Sequence, residues 1–141
     1  EGDAVIARGH DPLGGGGDDS RIFVDDLDYF ERSDFYFILD DEDLIGMGEI
    51  RHNLKPLGTQ TIGYIACEIR PSKRKQGYAL NSVEVMIDKI KEDGINEVIV
   101  CRYSENNITP KIIEKLDFKY RNRVVSEVSK KEIKCYTKRM N

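Results

Sequence analysis

The sequence predicts an α/β domain whose mixed β-sheet is flanked by helices, and three stretches carry that prediction. Gln60 to Arg70 is rich in β-favouring residues and stops at Pro71. Tyr78 to Glu92 repeats Leu80, Val83, Ile87 and Ile90 at three- and four-residue steps, with Gly94 behind it as a C-cap, which predicts a helix. Asn96 to Arg102 has the pattern of a buried strand. Strand, turn, helix and strand in that order make a βαβ unit, with a right-handed crossover and parallel pairing of its two strands.

The other elements follow in chain order. Residues 1–20 hold Gly14-Gly15-Gly16-Gly17 and Asp18-Asp19-Ser20, with little apolar material beyond Ala4 to Ala7. They are expected to form a flexible Gly/Asp-rich arm ahead of a single domain over 21–141. A glycine run can cradle phosphate, but the adjacent aspartates would repel it. Asp25 to Arg32 reads as a short helix or turn. Phe35 to Leu39 and Leu44 to Arg51 flank Asp40-Asp41-Glu42-Asp43, the pattern of a hairpin with a solvated acidic turn. That turn lacks the glycine and distal glutamate of a calcium loop. Leu54 to Thr59, with Pro56 and Gly58, is expected to be a loop. Beyond the βαβ unit, Thr109-Pro110 opens a short helix through Leu116, since proline is tolerated in a first turn. Phe118 to Val125 and Lys131 to Arg139 close the chain as two strands that pair antiparallel.

A chain of 141 residues is about one domain, large enough for one core. No apolar run approaches the roughly 18 residues that spanning a bilayer needs, so no membrane segment is expected. The net charge of −4 argues against nonspecific nucleic-acid binding, although cations are dense at Lys73 to Lys75. Cys67, Cys101 and Cys135 lie among apolar or β-favouring residues with no metal-ligand spacing. They suit reduced, buried thiols in a cytoplasmic protein better than a disulfide or a nucleophile. No signal peptide is visible.

Chemistry concentrates at Arg70-Pro71-Ser72-Lys73-Arg74-Lys75-Gln76-Gly77-Tyr78-Ala79, which sets four cations and one glycine between a strand and a helix. Such a turn can hold phosphate. Backbone N–H groups and the positive end of the helix dipole meet the anion, and glycine lets it come close.

Two segments resemble the GNAT superfamily of acyl-CoA-dependent N-acyltransferases. Arg74-Lys75-Gln76-Gly77-Tyr78-Ala79 fits its Gln/Arg-x-x-Gly-x-Gly/Ala signature, and the segment from Asn106 to Phe118 is similar to its Asn-x-x-(Ala/Ser)-x-x-Leu-Tyr-Glu-Lys-Leu-Gly-Phe segment. Ile50-Arg51-His52-Asn53-Leu54, Ile69-Arg70-Pro71-Ser72 and Gly77-Tyr78-Ala79 look like a poorly characterised bacterial-type branch of it. The resemblance covers residues 35–139 and implies a GNAT-like splayed sheet, with pantetheine in the gap between the strands that end at Arg70 and Arg102. It implies acetyl-CoA as acyl donor. Backbone groups around Cys67 and Ile69 would bond the acyl carbonyl and pantetheine amides, N–H groups from Gln76 through Gly77 and Tyr78 to Ala79 would hold pyrophosphate, Arg74 and Lys75 would add charge, and Asn106 would orient the pantetheine arm. Ile113 stands where the family often has a tyrosine that protonates the departing thiolate, and Asp117 where it has a glycine. Tyr103 and Tyr120 are weak substitutes for that tyrosine.

Direct transfer to an amine needs a proton acceptor. Glu68, within the central strand among apolar neighbours, is the first candidate, because burial there would raise its pKa toward a useful value. A salt-bridged or solvent-facing glutamate is the plainer reading. His52, with Arg51 and Glu49 near it, is the second candidate, against the plainer reading of a hydrogen-bonded strand-end histidine. The expected activity is N-acetylation of a primary amine in a small molecule or a peptide, with no nucleic-acid or membrane partner and a homodimer left open. The alternatives are an acyl-CoA-binding module without turnover and a nucleotide or nucleic-acid binder that uses Lys73 to Lys75.

Overall fold

Two sheets divide the chain. The computed structural model describes residues 5–9, 29–102, 108–125 and 130–140. In the first sheet β1 (Val5–Gly9), β2 (Arg32–Asp40), β3 (Asp43–His52) and β4 (Ile65–Ile69) lie side by side in that order, each antiparallel to the next. In the second, β5 (Glu97–Arg102) and β6 (Lys119–Val125) flank β7 (Glu132–Arg139), again antiparallel. Helices α1 (Pro56–Thr61), α2 (Tyr78–Glu92) and α3 (Pro110–Lys115) connect and cover them.

The β2–β3 hairpin turns at Asp41, whose φ of 54° an aspartate tolerates, so the expected acidic turn is where the sequence puts it. β1 falls inside the stretch expected to be an irregular arm. Val5 to Gly9 pair with Leu39 to Phe35, extending the sheet by one strand. Val5-Ile6 is short but β-favouring, and an open β2 edge offers it a full set of backbone partners. The glycine run at 14–17 and the helix or turn expected from Asp25 lie outside the described residues, up to residue 28.

Leu54 to Thr59 is not a loop throughout: Pro56 opens α1 at its first-turn position. Thr59 and Thr61 donate their hydroxyls to the carbonyls of Pro56 and Leu57, at 2.8 and 2.7 Å. The strand expected over 60–70 therefore shortens to Ile65–Ile69, because Thr61 ends the helix and Gly63, at φ 70°, turns the chain into the sheet.

α2 follows the sequence pattern to the residue. Val83, Met86, Ile87 and Ile90 bury against β3 and β4, each contributing about 2 kcal/mol by leaving water. Asp93 and Gly94 (φ 86°) close the helix with hydrogen bonds back to Lys89, Ile90 and Lys91. Ile108, Ile112, Ile113, Leu116 and Phe118 join the same core from α3 and its flanks. On the other face of the second sheet, Ile99, Cys101, Ile133 and Cys135 form a small separate core with Tyr64 packed against it.

The parallel pairing expected between β4 and β5 is absent. Among the described residues the two sheets meet at a single bridge, Gly63 to Val100, beside Tyr64 N–H donating to Ile99 at 2.8 Å. Beyond it the strands part. Two apolar runs joined by a helix predict neighbouring strands, but whether their ladder closes depends on the backbone path at Gly63, which apolar patterning does not encode.

Candidate functional site

Pro71–Lys73 makes one 3₁₀ turn after β4, Lys75 takes φ 65°, and Gly77 (φ 87°) is the N-cap of α2. Gly77 has no side chain with which to cap the helix, and the first turn of α2 carries no acidic residue. The positive pole of this helix, the longest among the described residues, thus suits an anion. A cavity of about 590 Å³ opens there, with Ile69, Arg74, Lys75, Gly77, Tyr78 and Ala79 of the expected set in its wall. Gln76 is exposed beside it. Cys67 turns its side chain into the core, which leaves only its backbone for the gap. Asn106 and Tyr103 lie outside the described residues.

The same wall contains Lys73 of the basic cluster, and also Lys111 and Lys115 from α3, which the sequence reading did not assign. The signal was no more than spacing: two lysines four apart on a short helix share a face.

The acidic turn is not simply solvated. Asp43 pairs with Arg70 at 3.0 Å and Lys73 at 3.5 Å, and Tyr78 donates its hydroxyl to Asp40 at 2.6 Å. Three contacts thus brace the basic turn from the β2–β3 hairpin.

Glu68 does not lie among its apolar neighbours. Ile65, Cys67 and Ile69 face the core, and the period of two turns Glu68 outward, with 59% of its side chain exposed. Its carboxylate accepts from Arg74 at 3.2 Å, while the Nε of Arg74 donates to the Ile69 carbonyl at 2.7 Å. The structure thus joins a candidate base to a candidate cofactor residue.

His52 lies elsewhere. Glu68 pairs with Met47 on β3, and His52 is five residues further along, about 17 Å away. Its Nε2 is 2.8 Å from Asp34, and His52 lines a second cavity of about 300 Å³ at the far end of α2. Arg51 beside it is buried and donates to the carbonyls of Ile62 and Gly63 and to Glu49, which ties β3 to the corner where the sheets meet.

Ile113 is 7% exposed and packs in the core, so the side chain at the usual tyrosine position does not reach the cavity. Tyr120 is exposed and stacks edge-on against Tyr136 at 5.8 Å. Burial, with the Glu68 charge second, pushes the Cys67 thiol up to about 12. All three cysteines are buried thiols.

A helix end without a cap, cations from two elements and a strand that parts from its neighbour define a class: α/β domains that seat a phosphate-bearing ligand in an opened sheet. The model of the Acetyltransferase (GNAT) family matches residues 11–118, most of the chain, and the chain belongs to that family. No curated protein matches it. Among solved structures it is similar to the acetyl transferase from Salmonella typhimurium that modifies the N-terminal serine of 50S ribosomal subunit protein L7/L12, at 13% identity and a TM-score of 0.59 over 79% of this chain and 66% of that one. It is similar to the NatC complex bound to Gag peptide and CoA, at 18% identity and a TM-score of 0.61 over 76% and 71%. The Microcin C7 self immunity acetyltransferase MccE in complex with acetyl-CoA and AMP matches at 13% identity and a TM-score of 0.59, over 78% and 62%. At these identities the likeness is one of fold. The chain spans 66% or less of the length of the first structures it matches. Among the described residues no helix is long and apolar enough to cross a membrane.

Proposed function

We propose that this chain binds acetyl-CoA and transfers the acetyl group to a primary amine, of a small molecule or a peptide, without a covalent enzyme intermediate. The observation that carries the reading is the cavity at the Gly77 turn, where an uncapped helix end and cations from two elements converge. Family membership supports it, as do similar structures described with CoA or acetyl-CoA bound.

Acetyl-CoA would supply the acetyl thioester. N–H groups from Gln76 to Ala79 would hold its pyrophosphate, with Arg74 and Lys75 adding charge, and backbone groups of Cys67 and Ile69 would face the pantetheine arm. Asn106 would orient that arm. Lys111 and Lys115 add positive potential from the opposite wall.

Glu68 takes the proton of the attacking amine, directly or through water. Its exposed position on β4, opposite the α2 face, lets an acceptor approach. Its carboxylate accepts from Arg74, which also lines the cavity. A phosphate that engages the guanidinium would compete with Glu68 for it and free the carboxylate to meet the amine. His52 is too far along β3 to share this role. Three buried thiols suit a reducing, cytoplasmic setting.

The buried Ile113 favours a second reading, an acyl-CoA-binding module without turnover. CoA-thiol release across a panel of polyamines, aminoglycosides and peptide N-termini separates the two. Turnover is expected with at least one amine, and Glu68→Gln should lower kcat about 100-fold while leaving the KM for acetyl-CoA nearly unchanged. Acetyl-CoA binding with no thiol release from any amine favours the module. An unaltered pH–rate profile in the variant rejects Glu68 as the base.

A further inference from the structure

Cys101 and Cys135 stand directly opposite each other on β5 and β7, with their sulfurs 2.7 Å apart. Both are fully buried in the small core beneath α1, on the sheet face away from the main core, and the transfer chemistry uses neither. Residues opposed across an antiparallel pair hold their Cβ atoms near the separation a disulfide spans, so the sulfurs can join with little backbone movement.

We propose that this pair is an oxidation site, where a peroxide converts the two thiols to an intrachain disulfide that ties β5 to β7 and that thiol reductants reverse. Cys135 is the attacking sulfur. The hydrogen bond from Cys101, with the Arg121 charge in support, favours its thiolate, while the same bond and burial hold Cys101 as the thiol. The Cys135 sulfur attacks one oxygen of hydrogen peroxide, the O–O bond breaks, and a sulfenic acid and one water result. The Cys101 sulfur then attacks that sulfur and expels its oxygen as a second water, taking up the remaining thiol proton. One peroxide is reduced to two waters as two thiols are oxidised.

The cover over the pair is thin. Thr59, in the six-residue α1, places its carbonyl 3.9 Å from the Cys101 sulfur. Local opening of a helix this short would admit a molecule the size of peroxide.

The site stands independently of any acetyl transfer. The test treats the full chain with hydrogen peroxide, unfolds it, alkylates it with iodoacetamide and maps the peptides. The expected product has lost about 2 Da, carries one alkylated cysteine, Cys67, and links Cys101 to Cys135 until dithiothreitol is added. In Cys101→Ser, dimedone should instead trap a sulfenic acid on Cys135. Wild-type protein alkylated at all three cysteines after peroxide, or linked through Cys67 or between chains, would overturn the proposal, and that map needs no variant to fold.

Discussion

Glu68 and Arg74 reach each other across the end of β4, and the contact is weak in itself, because both side chains are close to half exposed. Its interest is that either partner has other work. Arg74 also holds the Ile69 carbonyl and lines the cavity, so an arriving phosphate competes with Glu68 for its guanidinium. Cys67, one residue away, is the reverse case: fully enclosed, with no charge partner to stabilise a thiolate. With its thiol held up to about 12, the folded chain keeps a proton that the unfolded chain releases above the ordinary thiol value near 9. Between those values the unfolded state binds fewer protons, so stability falls as pH rises. Urea unfolding at pH 8 and pH 10 should therefore reveal an alkaline loss of stability that is smaller in Cys67→Ala. An equal loss in both proteins would mean that Cys67 is not shielded as the packing requires.

At the level of elements, the seam between the sheets rests on Gly63. Its φ of 70° suits glycine, and a Cβ there would lie 2.6 Å from the Ile99 carbonyl oxygen. Gly63→Ala should cost about 2–4 kcal/mol in urea unfolding, since neither strain nor clash can relax without moving β5. A cost below about 0.5 kcal/mol would show that the seam is not a fixed joint. The seam also explains which elements could be read from sequence. The α2 helix and the β2–β3 hairpin announce themselves through local period, caps and turn residues, and β6 and β7 through the two β-rich runs that close the chain. The α1 helix did not, because Pro56 and Gly58 look like loop residues until a proline is allowed at a helix start. The missing β4–β5 ladder was legible only through resemblance, since backbone divergence leaves no periodic trace. For Glu68 the plainer of the two readings, a solvent-facing and salt-bridged side chain, is the one the structure has, because an acid between two buried residues of a strand points away from them.

For the whole molecule, one arrangement does most of the work. A four-stranded sheet and a three-stranded sheet touch at one end and part at the other, and α2 begins beside the parting with its positive pole uncapped. The acidic hairpin turn braces the basic loop from one side, and α3 brings two lysines from the other. The basic stretch, Gly77 and Ala79 were visible in the sequence, whereas Lys111, Lys115 and the bracing by Asp43 and Asp40 depend on chain segments that only folding brings together. The central claim is that the Gly77 turn is the phosphate seat of acetyl-CoA. Isothermal titration of acetyl-CoA into wild type and Gly77→Glu tests it most directly, with circular dichroism to verify that the variant is folded. Saturable binding by wild type, and at least a 100-fold loss in a folded Gly77→Glu, is the predicted result. Equal affinity in the two proteins would contradict it.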